Sequence, residues 1–373
     1  MNLDLILHRY GLSATDLFVW LFVPYKITAD GPVSEFYDDP DTRTEMADAF
    51  ADLGLDWSWT PITLDNLEAT TADLQSRSDG RLHIVFNYCD GDEINGYPGL
   101  TVVKLLESRN IPFTGADSGF YHMSTSKHLM KDAFLRSGVP TAPYHFIDKP
   151  DTNLDGVCQK VGAPVFVKPS VSGGSFGLTW ESVVHNDRDL QVQAARLFEG
   201  MHGYDFSGGG ILAERFILGR DFTVLIAGTP GYPDSATVFP ALQIVYDSSL
   251  PEERHHFVFD MWKEQMYVTA MATPEESNRL EQAAWAAYKA VGGTGYGRVD
   301  IRWEKHTDEL FVLEVNANCS ISSWVESDTI CGKILQAHGY TFSRFIGDII
   351  GDCLERHFSK PGVSPATTEA TGL

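Results

Sequence analysis

GYGRVDIRWE, residues 295–304, and LFVLEVNAN, residues 310–318, are joined by the polar turn KHTDE, and together they read as a β-hairpin with chemistry on one face. Period-two alternation puts Arg298, Asp300 and Arg302 on one side of the first strand and Val299, Ile301 and Trp303 on the other. Glu314 and Asn316 share a side of the second strand. If the hairpin folds about Thr307, Asp300 lies opposite Glu314 and Arg298 opposite Asn316, with facing Cβ atoms about 5 Å apart. Like charges directly opposed across strands destabilise a sheet, so two carboxylates in one small space call for a cation. Magnesium suits the position. It prefers hard oxygen ligands and is commonly held by one or two carboxylates beside substrate phosphates, and Asn316 adds a neutral oxygen. The same pattern is open to a structural network in which Arg298 and Arg302 neutralise the acids.

Working outward, APVFVKPSVSGGSFG (163–177) is an apolar strand ending in Lys168, followed by a loop with Gly173, Gly174 and Gly177 among serines. Such a loop can lay backbone N–H groups and an ammonium against phosphates. It is not a Walker A sequence, and a glycine-rich hairpin also describes an ordinary flexible loop. In ERFILGRDFTV (214–224), Glu214 and Asp221 sit around a Gly219 turn and flank Phe216 and Ile217. Two acceptors about an apolar platform suit a nucleoside, the alternative being solvated surface acids.

The first third alternates short apolar runs with helical patterns: a strand at Leu17–Val23, a helix at Thr42–Leu53, a strand at Leu82–Asn87, a helix at Leu100–Arg109 and a short strand at Ile111–Thr114. That alternation predicts a parallel sheet covered by helices. A helix is expected over Ser124–Ser137, with a first boundary near Asp117. Beyond Tyr144 the texture becomes α+β and largely antiparallel. VFVKPS and LTWES flank the glycine loop, and ILAERFI, FTVLIAG, ATVFPALQIVY and HHFVFD are further strand candidates. Pro274–Val291 is a long helix.

The whole chain has 373 residues, enough for two or three domains, and its 43% apolar and 21% charged content is ordinarily globular. A net charge of −23 with 28 Lys and Arg argues against a nucleic-acid backbone as partner. The apolar run near the start is too short for a membrane span and lacks a basic lead-in, so it reads as a buried strand. Five cysteines without CxxC or zinc spacing suit a reducing, cytoplasmic compartment and buried thiols.

Taken in order, these segments resemble the ATP-grasp superfamily and, within it, the D-alanine:D-alanine ligase family, from Leu82 to the helix around Cys353. The resemblance implies an α/β and α+β multidomain chain with an ATP-grasp fold. Its parts would be an N-terminal parallel-sheet domain (1–117), a central subdomain with the glycine-rich lid (118–212), a C-terminal subdomain with the magnesium site (213–360) and a disordered tail (361–373). Lys127 in STSKHLMKDAF, Lys168, and Lys263 in FDMWKEQ match phosphate lysines, and Ser172–Gly177 matches a closing lid in which Ser175 takes part in catalysis. Glu214 and Asp221 match adenine and ribose acceptors, with Phe216 and Ile217 giving backbone contacts to adenine. Asp300, Glu314 and Asn316 match magnesium ligands, and Arg298 matches the arginine that stabilises the reacting acyl group.

The function so implied is an ATP-dependent carboxylate–amine ligase that forms an amide or peptide bond through an acyl phosphate. ATP and magnesium are the cofactors, with two ions that manganese can replace. The partners are a small carboxylate and a small amine, both amino acids by preference, in a homodimer built on the N-terminal part, with no nucleic acid and no membrane. Departures from the family cluster where amino acids bind. ANCSISSWVESD (317–328) replaces a proline–glycine turn with Ser320, Trp324 and Glu326; Ser172, Gly174 and Glu264 differ from the common residues; and NYCDGDEINGYPG (87–99) replaces a His-Gly motif. Glu35 is the candidate for holding the first amino group. We therefore expect a biosynthetic amino-acid ligase with altered substrates. The alternatives are a non-catalytic nucleotide-binding regulatory protein, or a carboxylate kinase or cyclase on the same fold.

Overall fold

The structure, a computed structural model, describes residues 3–34, 37–232, 236–259, 261, 266–323 and 329–363. The first third runs α1 (Leu3–Arg9), β1 (Leu17–Pro24), a small hairpin of β2 (Lys26–Thr28) and β3 (Gly31–Val33), α2 (Pro40–Asp52), β4 (Asp56–Ile62), α3 (Leu67–Ser76), β5 (Leu82–Asn87) and α4 (Leu100–Ser108). β1 is the centre of a parallel sheet in the order β4-β1-β5. A strand with neighbours on both edges and helices on both faces must be apolar almost throughout, and Leu17 and Val19 to Val23 are all buried. The expected strand at Ile111–Thr114 is reduced to one parallel bridge, Val85 to Phe113, flanked by hydrogen bonds from Val85 N to Pro112 O and from Thr114 N to Val85 O, each 2.9 Å. α2 starts two residues before the expected Thr42 because Asp39 caps it, accepting from Thr42 N at 2.8 Å, with Pro40 in the first turn.

The single helix expected over Ser124–Ser137 is two, α5 (Ser118–Thr125) and α6 (Lys127–Arg136). Ser126 between them is extended (φ −112°, ψ 108°), and the Lys127 N–H leaves the helical pattern to donate to Ser170 O at 2.9 Å. That bond ties the start of α6 to the base of the glycine loop. β6 (Tyr144–Ile147), α7 (Val157–Val161), β7 (Val165–Pro169), β8 (Val183–Val184), α8 (Asp187–Phe198) and β9 (Ile211–Arg215) follow, their strands forming an antiparallel sheet in the order β6-β9-β7-β8. This sheet has its own core of Val165, Val167, Leu190, Leu197, Ile211 and Ala213. LTWES is not the expected strand. Thr179 caps a single 3₁₀ turn over Trp180–Ser182, and only Val183 and Val184 pair back onto β7.

The last third carries β10 (Gly219–Ala227), β11 (Thr237–Val238), β12 (Leu242–Tyr246), β13 (Tyr267–Met271), α9 (Pro274–Ala290), β14 (Tyr296–Glu304), β15 (Leu310–Ala317), α10 (Ile330–Ala337) and α11 (Phe342–Phe358). The strands lie in the order β13-β12-β10-β14-β15, with β11 on β10. ATVFPALQIVY is divided into β11 and β12, since Pro240 interrupts the run. HHFVFD is not a strand over its described residues 255–259. The two imidazoles turn back to backbone carbonyls of Leu250 and Glu253, each at 3.1 Å, while Val258 packs with Ile244 and Tyr246. One core joins Phe22, Val85 and Phe120 to Phe222, Val299 and Val315, and another joins Val19 and Phe50 to Leu225, Tyr296 and Ile346. The parallel sheet and the β10–β15 sheet thus share apolar packing, and residues of β7 and β9 line one cleft with residues of β14 and β15. All five cysteines are buried and free. Among the described residues no helix is long and apolar enough to cross a membrane.

Candidate active site

The β14–β15 hairpin pairs Asp300 with Glu314, Val299 with Val315 and Arg298 with Asn316, the register expected from the turn. Past Asp300 the register shifts and Ile301 faces Val312, so Leu313 is an extra residue in β15. Such a bulge bends a strand locally, and here it sits beside the two acids with Leu313 on the wall of a cleft. Asp300 is held from three strands. Arg298 donates to it through Nε at 3.0 Å and Nη2 at 3.2 Å, Thr223 of β10 through Oγ1 at 2.7 Å, and Asn316 through Nδ2 at 2.9 Å. Glu314 is less tightly engaged, with Lys127 Nζ at 3.5 Å from Oε2 and Asn316 Nδ2 at 3.5 Å from Oε1. Burial pushes its carboxyl upward, but Lys127, Lys168 and Arg298 outweigh that and hold it below the usual range.

Above the hairpin lie the lysines. Lys168, at the end of β7, places Nζ 2.6 Å from Glu214 Oε1, and Lys131 of α6 places Nζ 2.6 Å from Glu214 Oε2. Burial alone would raise the Glu214 pKa, yet these two ammonium groups bring it down to about 2. Lys127 donates to Ser172 O at 2.7 Å, which fixes the entry to the glycine loop. Within that loop Gly174 and Ser175 both take the left-handed conformation, at φ +54° and +61°. Gly177 closes it at φ +81°, where a Cβ would lie 2.7 Å from Pro169 Cγ, so both conformation and space demand glycine.

The third wall comes from the β9–β10 turn. Phe216 N–H is taken by Pro164 O at 2.8 Å, and the Arg302 guanidinium lies over its ring at 4.6 Å. Asp221 accepts from Tyr246 OH at 2.5 Å and has Arg302 Nε at 3.3 Å, although burial still raises its pKa. His256, enclosed by Phe166 and Phe216, is pushed down to about 4, chiefly by burial.

All of these walls line one cleft, about 1270 Å³ when the solvent space at its open mouth is included. It brings together Lys127, Lys168, Ser175, Glu214, Phe216, Ile217, Asp221, Arg298, Asp300, Glu314 and Asn316. Lys263 lies outside the described residues, as do Glu35, Glu264, Trp324, Glu326 and the end of the chain from residue 364. Sequence reasoning missed Lys131, Thr223, Tyr246 and His256. Lys131 alone left a signal, standing four residues after Lys127 on the same helical face. The acid–acid–amide set fits magnesium. Asp300, Glu314 and Asn316 converge on one point with hard oxygen donors, and turning the Asn316 amide, which has no carbon-framework cost, would present Oδ1 in place of Nδ2.

Two antiparallel sheets gripping a cleft lined with lysines, a glycine loop and paired acids are the ATP-grasp fold, and the family model and relatives make it an enzyme of the class that joins carbon to nitrogen. The profile of the D-ala D-ala ligase C-terminus matches residues 133–351, more than half of the chain, and the chain belongs to the D-alanine–D-alanine ligase family. It is 28% identical over 251 residues to a D-alanine–D-alanine ligase of Acinetobacter baumannii (strain AYE), covering 67% of this chain and 74% of that one. A ligase of the same name from Bordetella avium (strain 197N) is 28% identical over 247 residues, covering 66% and 71%. The fold matches that of the D-alanine–D-alanine ligase from Bacillus anthracis in its crystal structure with ATP, at TM-score 0.62 and 21% identity over 91% of this chain and 98% of that one.

Proposed function

We propose that this ligase uses ATP and magnesium to join a small carboxylate to a small amine through an acyl phosphate, and that its substrates are amino acids other than a pair of D-alanines. The observation that carries the reading is the opposed Asp300–Glu314 pair with Asn316 and Arg298, in the same cleft as Lys127 and Lys168. A half-buried acid pair without a ligand to hold gains nothing from that position, since each acid needs cations around it.

In this reading Lys127 and Lys168 receive the phosphates of ATP. Ile217, whose N–H donates to no backbone carbonyl among the described residues, meets the base, and Asp221 meets the ribose. Magnesium held by Asp300, Glu314 and Asn316 would neutralise phosphate charge. A substrate carboxylate attacks the γ-phosphorus and releases ADP. The amine then attacks the acyl carbon, phosphate leaves, and the amine sheds a proton. Arg298 offsets charge on the acyl oxygen, and the Ser172–Gly177 loop excludes water that would hydrolyse the intermediate. The same reading divides the chain near residues 117 and 212. It also carries two magnesium ions replaceable by manganese, a homodimer and a cytoplasmic setting, which metal substitution, sedimentation and fractionation test in turn.

The altered substrates rest on the chain's own sequence: ANCSISSWVESD follows the metal-binding strand and NYCDGDEINGYPG follows β5, both in place of the family's motifs. The test is ADP and phosphate release with pooled L- and D-amino acids, singly and in pairs, with mass spectrometry of products. A product lighter by one water than the sum of two substrates, absent in Glu314→Gln, is expected. ATP consumption that needs a carboxylate but no amine would overturn amide formation, and turnover only with D-alanine would overturn the altered substrates.

A further inference from the structure

Lys131 has no place in the chemistry just described, yet it is a lysine with 0% of its side chain exposed, set against a carboxylate of the cleft. Among the described residues, the cleft is lined by Lys168 and Glu214 but not by Lys131. A ligand in the cleft therefore cannot touch its ammonium. Burying that group is costly, and it is met on several sides: Glu214 Oε2 at 2.6 Å, Thr141 Oγ1 at 2.7 Å and the Tyr144 ring at 5.8 Å. Thr141 in turn donates to Val312 O at 2.7 Å, two residues from Glu314, so the lysine is anchored to the strand that bears Glu314.

Glu214 has one negative charge and two ammonium neighbours, one on each oxygen. The fixed partner is Lys131, and the one that faces the cleft is Lys168. Were Lys131 absent, Glu214 would be neutralised by Lys168 alone, and a nucleotide phosphate would have to compete with a buried carboxylate for that ammonium. With Lys131 present, Glu214 is already paired, and Lys168 carries a surplus positive charge toward the cleft. We propose that Lys131 is a positioning residue for nucleotide binding: it takes up the charge of Glu214 and thereby leaves Lys168 available to phosphate.

The proposal rests on the reading of the cleft as a nucleotide site, and the experiment separates the two. Calorimetry with inorganic triphosphate, which has no base to contact Glu214, and with ATP is run on the wild type, Lys131→Met, Glu214→Gln and the double variant. Lys131→Met should weaken triphosphate binding about tenfold, and adding Glu214→Gln should restore it to within about threefold of Glu214→Gln alone, as coupled neighbours require. In turnover the loss should fall on KM for ATP rather than on kcat. A double variant as weak as Lys131→Met, or weaker, would overturn the proposal, because loss of packing is not repaired by removing a second charge. If Lys131→Met does not fold, Glu214→Gln alone decides: charge relief requires it to bind triphosphate more tightly than the wild type, and equal or weaker binding refutes it. Failure of the wild type to bind ATP at all would instead remove the nucleotide reading itself.

Discussion

Asp300 and Glu314 face each other in one register, yet the structure gives them unequal roles in the fold, and this separates catalysis from stability. Glu314→Gln keeps the shape and removes a charge whose nearest cation is Lys127 at 3.5 Å, so it should cost about 1 kcal/mol or less of stability. Asp300→Asn strips the counter-ion from Arg298 and sets an amide N–H₂ against the donors of Arg298, Thr223 and Asn316. Removing one partner of a fully buried pair costs about 3–5 kcal/mol, and with the two side chains 25% and 23% exposed we expect about 2–3 kcal/mol here. At about 2 °C per kcal/mol for a chain of this size, Tm should fall by roughly 5 °C in Asp300→Asn and by about 2 °C or less in Glu314→Gln. Turnover should fall in both by about 10² to 10³, the scale of losing one group that faces developing charge. The assays are scanning calorimetry and coupled detection of ADP. Glu314→Gln retaining turnover within tenfold of the wild type would refute its place among the metal ligands. Equal melting of the two variants would refute the unequal anchoring.

His256 prefers to be neutral, so the folded state takes its proton only near pH 4 while the unfolded chain takes it near 6.5. The unfolded state then binds more protons across that window, and the stability present above pH 6.5 is lost as pH falls toward 4, about 3 kcal/mol in all. The stability gap between wild type and His256→Asn in urea should shrink by that amount from pH 7 to 4. His357, also pushed down to about 4, keeps its own share in both proteins, and a constant gap would exclude His256 as the source. Gly177→Ala meets both a φ of +81° and Pro169 Cγ at 2.7 Å, so it should lose about 1–3 kcal/mol of stability or displace the loop, seen as a lower Tm or a raised KM for ATP. Tyr246→Phe leaves Asp221 without its 2.5 Å hydrogen bond and should cost about 1–3 kcal/mol by urea unfolding; no change would mean that Arg302 alone suffices for Asp221.

The hairpin was legible because everything that fixes it is local. Folding about Thr307 with period-two alternation places Asp300 opposite Glu314, and the structure has that pair, although nearer the turn the strands pair one residue out of that register and the bulge at Leu313 restores it. The bulge at Leu313 was not legible, since an extra residue changes the count without changing the apolar pattern. β4 escaped because DWSWTPI carries Pro61, which reads as a turn, and the structure tolerates it by putting the strand at the sheet edge. The break at Ser126 escaped for another reason: helical periodicity continues across it, and what stops the helix is Ser170, far along the chain, taking the Lys127 N–H.

The charge pairing within the cleft shows the same limit more sharply. Glu214 is surrounded by Lys131 and Lys168, and these three residues come from α6, β7 and β9, elements that only the tertiary fold brings together. Local pattern could suggest that each residue type was suited to a nucleotide. It could not say that Glu214 would find both of its oxygens occupied by ammonium groups before any ligand arrives. That arrangement changes what the cleft offers an anion. Among the described residues Lys127, Lys168, Arg215, Arg298 and Arg302 line the cleft with Lys131 behind them, against the acids Glu214, Asp221, Asp300 and Glu314, so this corner of a chain with net charge −23 is locally positive. A polyphosphate approaching an acidic protein is repelled at long range, where salt screens the field, and attracted only within the cleft, where screening is weak. In the proposed reading, a cation brought by the nucleotide would matter twice, first in lowering the charge of the approaching ligand and then in filling the space between Asp300 and Glu314.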